Sequence, residues 1–185
     1  AAAGAPTDVQ LATARAVSSL SDDLLDAPDT ARGKLVWLAE HLLTGFDLDH
    51  WSLSTVDLAG DRVLVVTSMG LRERRPLEDA GTDLLVDTAF PLADYPLTER
   101  AVLENGWFAI DAEDDLADPA ERAVLTALGE RYLVALGCSE GAEGLLLELY
   151  GRGSFDVQLL GATGSLAAGA LVGRPMQRLD ATSVV

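Results

Sequence analysis

Apolar residues recur at Val17, Leu20 and Leu24 within residues 7–26, the i, i+3, i+7 spacing of one helix face, and Ala27-Pro28-Asp29 stops the run. Asp29 or Thr30 then caps a second predicted helix. Its Leu35, Leu38 and Leu42 form one stripe, Val36, Ala39 and Leu43 widen it, and Gly45 is placed to end it. A face that wide predicts burial on more than one side. The period then changes: HWSLSTVD (50–57) and RVLVVTSM (62–69) are rich in β-branched and aromatic residues and are joined by LAGD, which predicts a hairpin. A polar loop at 70–81 leads to a short strand within 84–92, a helix at 97–104 and a strand at 107–111. After an acidic loop, Asp118 caps and Pro119 opens a helix running to Gly129. YLVALGCS (132–139) and GLLLELY (144–150) form a last hairpin around EGAE, and Ser154 caps a long final helix that ends before Pro175.

Hairpin strands are antiparallel neighbours, so hairpins near both ends of the core exclude an all-parallel, doubly wound sheet. The expected class is α+β: a three-layer α/β/α sandwich around a central antiparallel sheet of about six strands. The first two helices and the last cover one face, and the two short middle helices cover the other.

Composition narrows the functional classes. The 185 residues suit one domain, with 49% hydrophobic and 23% charged residues. Against 30 Asp and Glu stand 13 Lys and Arg, a net charge of −17 that repels phosphate backbones and anionic lipids. The densest basic group, Arg72, Arg74 and Arg75, is short and flanked by acids, so neither nucleic acid nor membrane is an expected partner. Residues 157–173 carry no charge, but the segment is short, contains Gly161, Gly164 and Gly169, and lacks basic flanks; it reads as a buried helix. The sole cysteine, Cys138, rules out an intrachain disulfide or a multi-thiolate zinc site, and the first ten residues do not resemble a signal peptide, so a cytoplasmic location is expected.

Candidate chemistry is sparse. His41 and His50 are accompanied by no G-x-S-x-G elbow and read as structural. Gly151-Arg152-Gly153-Ser154 lacks the P-loop lysine, Lys34 being the only lysine, and reads as a turn with a cap. The acidic run 111–118 lacks the ligand order of an EF-hand. Cys138 lies in an apolar strand pattern, where a free thiol behaves as a small buried hydrophobe. No catalytic residue and no metal-ligand set is expected.

FPLADYPLTERAVLENGWFAID (90–111), ADPAERAVLTALGERY (117–132), YLVALGCS and GLLLELYGRGSFD (144–156) resemble, in sequence and order, the GAF domain family, particularly sensory GAF domains of bacterial signalling proteins, over about residues 35–173. The resemblance implies a six-stranded antiparallel sheet between helical layers. It also implies a pocket under the short middle helices that takes a cyclic nucleotide, tetrapyrrole or haem, or takes nothing in members that act by dimerisation. Departures lower the named ligands: there is one cysteine rather than the several of sulfoxide-reducing members. Asn105 is followed by Gly106 instead of the Asn-Lys-Phe signature of cyclic-nucleotide members. Cys138 falls on a sheet strand instead of a pocket-covering segment.

The expectation is a non-enzymatic sensory domain that binds a small molecule of unknown identity. It signals as a homodimer, through helices near the termini, to a covalently linked output domain. A ligand-free dimerisation module is the alternative, and an enzyme using His41 or His50 is the second. The expected parts are an N-terminal helical extension (1–29), the GAF-like domain (30–174) and a C-terminal tail or linker (175–185). The pocket candidates are Phe90, Leu92, Tyr95, Leu97, Thr98 and Trp107, with Trp51 and Cys138.

Overall fold

The structure, a computed structural model, describes residues 27–46, 48–72, 87–153 and 156–181. The helix expected at 7–26, Arg74, Arg75 and Ser154 lie outside them. Helix α1 (Ala31–Gly45) starts where Thr30 Oγ1 accepts the N–H of Gly33 at 3.1 Å. The hairpin β1 (His50–Asp57) and β2 (Val63–Leu71) follows, then a three-residue strand β3 (Ala89–Pro91) and a 3-10 turn (Leu92–Asp94). Next come α2 (Pro96–Glu104), β4 (Gly106–Asp111), α3 (Pro119–Leu128), the hairpin β5 (Tyr132–Glu140) and β6 (Glu143–Gly151), α4 (Val157–Val172) and β7 (Gln177–Arg178).

The strands form one sheet in the order β3-β2-β1-β6-β5-β4-β7, antiparallel except for the β4–β7 pair. Seven strands exceed the expected six because the chain beyond Pro175 returns to the sheet edge: Leu179 N–H donates to Trp107 O at 2.8 Å. Leu179 is buried, and Asp118 N–H donates to Ala181 O at 3.0 Å, so packing continues past residue 174.

Local chemistry sets the ends of the short helices. Pro96 and Pro119 open α2 and α3, where a missing N–H removes no helical bond. Asp118 accepts from the N–H groups of Ala120 and Glu121, and Gly129 closes α3 in the left-handed conformation. Asn105 takes the left-handed position after α2, at φ 52°, which asparagine tolerates, and Gly106 begins β4. The cap of α4 is Asp156, accepting from Gln158 and Leu159 N–H at 3.0 Å.

Side chains alternate across the sheet and separate two cores. Trp51, Leu53, Trp107, Val134, Leu136, Leu147 and Leu149 pack under α1 and α4. Val56, Phe108, Ile110, Leu133, Leu146 and Tyr150 pack under α2 and α3. No helix of the described residues is long and apolar enough to cross a membrane.

Helix α2 sits directly on β5 because Gly137 presents no side chain: a Cβ there would meet the backbone of Ala101 and Val102. Gly137→Ala is expected to push α2 off the sheet and destabilise the fold by about 1–3 kcal/mol in urea denaturation; unchanged stability would contradict this packing.

Candidate functional site

Alternation along β1 turns Ser52, Ser54 and Val56 toward α2 and α3. Pairing with β6 sets Ser52 opposite Glu148 and Ser54 opposite Leu146. On the other side, the β1–β2 register jumps from Leu53↔Ser68 to Ser54↔Val66, leaving Thr67 as the bulged residue; its Oγ1 donates to Leu53 O at 3.1 Å. The bulge brings Val66 and Leu64 to the same face as Ser54.

These strands floor a cavity of about 30 Å³ whose polar lining is Ser54, Glu148 and Tyr150 from the sheet, Tyr95 and Thr98 from above, and Glu121 from α3. Phe90, Val124, Leu64 and Val66 complete it. Phe90, Tyr95 and Val124 also line an adjoining cleft of about 590 Å³, walled further by Ala120, Ala123, Ala127 and Leu128, with Thr88 and Asp94 at its polar side. The Phe90 and Tyr95 rings meet edge to face, 6.1 Å between centroids.

Glu121 lies on the inward stripe of α3 with Leu125 and Leu128 and is 2% exposed. Burial pushes its carboxyl up to about 8; Thr98 Oγ1, donating to Oε1 at 2.7 Å, opposes the rise, and the charges of Glu148 and Asp118 add to it. Burial likewise raises Glu148 to about 7 against hydrogen bonds from Ser52, at 3.0 Å, and Tyr150. The Tyr150 phenol is held well above its usual range by burial and by both carboxylates, and Tyr95 is raised mainly by burial, then by Glu121, Asp94 and Glu148. Near neutrality, Glu121 is therefore largely a carboxylic acid that both donates and accepts.

Within the cavity lining, Ser54 falls outside the hydrogen-bond accounting. It is 0% exposed, and its Oγ has no hydrogen-bond partner among the described residues. Leaving such a hydroxyl unsatisfied costs about 1–3 kcal/mol. No lysine or arginine is among the described residues lining either space.

Of the residues expected from sequence, Phe90, Tyr95 and Thr98 line the cavity. Leu92 and Leu97 pack in the core on the same face without lining it. Trp51, Trp107 and Cys138 sit on the opposite face: Trp51 Nε1 donates to Glu40 Oε1 at 3.1 Å, Trp107 packs against Gly161 of α4, and burial raises the Cys138 thiol to about 11. Strand parity separates them from the cavity. His41 and His50 line neither space: His41 Nδ1 is 2.8 Å from Trp37 O on α1, and His50 stacks on Tyr150 at 4.4 Å beside Glu130.

Ser54, Glu121, Glu148 and Tyr150 were missed in the sequence. Their signal was a polar residue at an inward register: Ser52 and Ser54 alternating with Trp51 and Leu53, Glu148 inside GLLLELY, and Glu121 at i−4 and i−7 from Leu125 and Leu128.

No protein-family model and no curated protein sequence matches the chain. Solved structures do. The chromophore-binding domain of Stigmatella aurantiaca phytochrome P1 superposes with TM-score 0.60 at 14% identity, covering 91% of this chain and 62% of that one. The phycocyanobilin-bound GAF domain from a cyanobacterial phytochrome gives 0.56 at 15% identity, with 87% and 92% covered. The GAF domain from a phosphoenolpyruvate-protein phosphotransferase of Coxiella burnetii gives 0.57 at 12%, with 91% and 94% covered. The fold is that of a GAF domain. The chain spans less than two thirds of the phytochrome chromophore-binding domain.

The raised carboxyls have a consequence for stability. Below about pH 4 both states of the protein hold these protons; between there and pH 8 the unfolded chain releases them first, so the two acids make stability fall as pH rises. Glu121→Gln, which keeps an acceptor for Thr98, is expected to be more stable than the parent at pH 8.5 by a few kcal/mol, at about 1.4 kcal/mol per pH unit of displacement, and nearly equal at pH 4.5. Urea denaturation at the two pH values checks it; a difference independent of pH would contradict the assignment.

Proposed function

We propose that this chain is a non-enzymatic sensory domain that binds a small molecule between the sheet and the α2–α3 layer and passes the change to flanking helices. The observation that carries the reading is the buried, unpartnered Ser54 hydroxyl facing two protonatable carboxyls, beside a cleft of about 590 Å³. A ligand-free module would fill that space with its own side chains. The likeness to GAF domains that carry bilins supports the sensory reading, while the only cysteine lies under α1 and α4, away from the cavity, so the ligand is held without a thioether. Neither histidine reaches the cavity, which favours binding over catalysis. The acidic surface fits a cytoplasmic domain that contacts neither nucleic acid nor membrane.

Native mass spectrometry of freshly purified protein is expected to show an added mass that denaturation removes. A bare mass, together with no rise in melting temperature across a metabolite screen, would overturn the reading.

Signalling through a homodimer and a linked output domain is part of the same proposal. Its support is the outer side of α4, where Leu166 is 77% and Leu159 38% exposed, an apolar pair two helix turns apart. Light scattering at micromolar concentration is expected to give a dimer that Leu166→Glu shifts toward monomer; a parent protein that is monomeric throughout would count against it.

A further inference from the structure

Resting on the ligand-binding reading above, we propose that the inner cavity receives the ammonium head of an amphipathic organic amine whose apolar body lies in the adjoining cleft. Size is the first argument. The inner cavity, about 30 Å³, holds more than one water-sized group and suits a compact head group, whereas the cleft of about 590 Å³ next to it accommodates a ring or a short chain. Phe90, Tyr95 and Val124 line both spaces, so a ligand crossing from one to the other passes two aromatic rings, and aromatic faces attract cations.

The donor and acceptor inventory is the second argument. An ammonium carries three donors and no acceptor. Ser54 Oγ offers an acceptor that nothing else uses, and the carboxyls of Glu148 and Glu121 supply the others. A carboxylate or phosphate ligand would find hydroxyl donors but also two acids here, with no cation among the described residues lining the cavity or cleft to balance its charge.

Charge is the third. The groups facing the two carboxyls are Tyr150 from β6, Tyr95 and Asp94 from the turn before α2, Thr98 from α2 and Asp118 at the start of α3; β2 and β3 contribute Leu64, Val66 and Phe90. Every ionisable member is an acid. Arg62, just before β2, is paired with Glu99 at 2.9 Å, and Arg122, next to Glu121 on α3, is paired with Asp115 at 3.2 Å. A cation entering the cavity therefore favours the ionised carboxyls, and binding is coupled to proton release.

The test titrates the full chain with n-butylamine, phenethylamine and tryptamine, each beside its matched alcohol and carboxylate, by calorimetry and by amide chemical shifts. At least one amine is expected to bind about tenfold or more tightly than its alcohol, with no binding of the carboxylate. In phosphate and Tris at pH 7.5, the heats are expected to differ by the release of a sizeable fraction of one proton. Ser54→Ala and Glu148→Gln are each expected to weaken the amine about tenfold or more and to narrow its margin over the alcohol, with the circular dichroism spectrum retained. Equal binding of amine and alcohol, or no binding of any amine at millimolar concentration, overturns the proposal. A different molecule retained in native mass spectrometry would then leave the sensory reading standing. If no probe binds and no mass is retained, both fall.

Discussion

The register between β1 and β6 at the centre of the sheet decides which side chains meet on each face. Ser52 opposes Glu148 and Trp51 opposes Leu149. A slip of β1 by one residue would send Trp51 and Leu53 into the acid-lined cavity and bring Ser52 and Ser54 under α1 and α4, where Leu35, Leu38 and Leu42 offer no hydrogen-bonding group. The same register places His50 against Tyr150, which fills the end of the cavity layer with a stacked pair. Flanking the central pair, the bulge at Thr67 restores Val66 and Leu64 to the face that Ser54 occupies. The cavity is thus a property of three strands held in one alignment.

Two ways of burying an acid occur on this side of the sheet. Glu130, whose side chain is fully buried, lies beside a fixed cation: Arg152 Nε is 3.8 Å from one carboxylate oxygen, and His50 Nδ1 is 3.4 Å from the other. Glu121 and Glu148 have no such partners among the described residues of the cavity lining, and they meet the cost of desolvation by retaining a proton. The first arrangement sets the acid against an arginine and an imidazole at the end of the sheet. The second leaves groups whose charge still responds to whatever enters the cavity. That contrast, more than the presence of acids, marks the α2–α3 side as the responsive one.

The elements were legible where local chemistry decides them. Thr30 as a cap, Asp118 followed by Pro119, and the two hairpins all depend on residues within a few positions of one another. The seventh strand was not legible, because Gln177 and Arg178 have no strand character of their own and pair only because the preceding turn delivers them to β4. The facing of β1, β4 and β5 was hidden for a different reason: helices cover the sheet on both sides, so Trp107 and Phe108 are both buried and hydrophobicity no longer marks the parity. Three pocket candidates, Trp51, Trp107 and Cys138, fell on the other face for that reason. The polar residues carried the parity instead. Ser52, Ser54 and Glu148 are the inward set that a core made for packing alone would not contain.

Placement of the cavity follows from how α2 is seated. A nine-residue helix beginning at Pro96 and ending at Glu104 cannot roof the whole face, and Gly137 draws it down onto β5. The β1–β2 end is left to Phe90 and Tyr95, so the roof there is a pair of rings from an edge strand and a turn. On the floor, Ser52 and Ser54 share a strand with Trp51, and Gly70, paired with Trp51 on β2, leaves room for the indole to reach Glu40 of α1. Any displacement of β1 by a group beside Ser54 must therefore move an indole hydrogen-bonded to α1. The strand that floors the cavity is also hydrogen-bonded, through Trp51, to the helix layer on the opposite side.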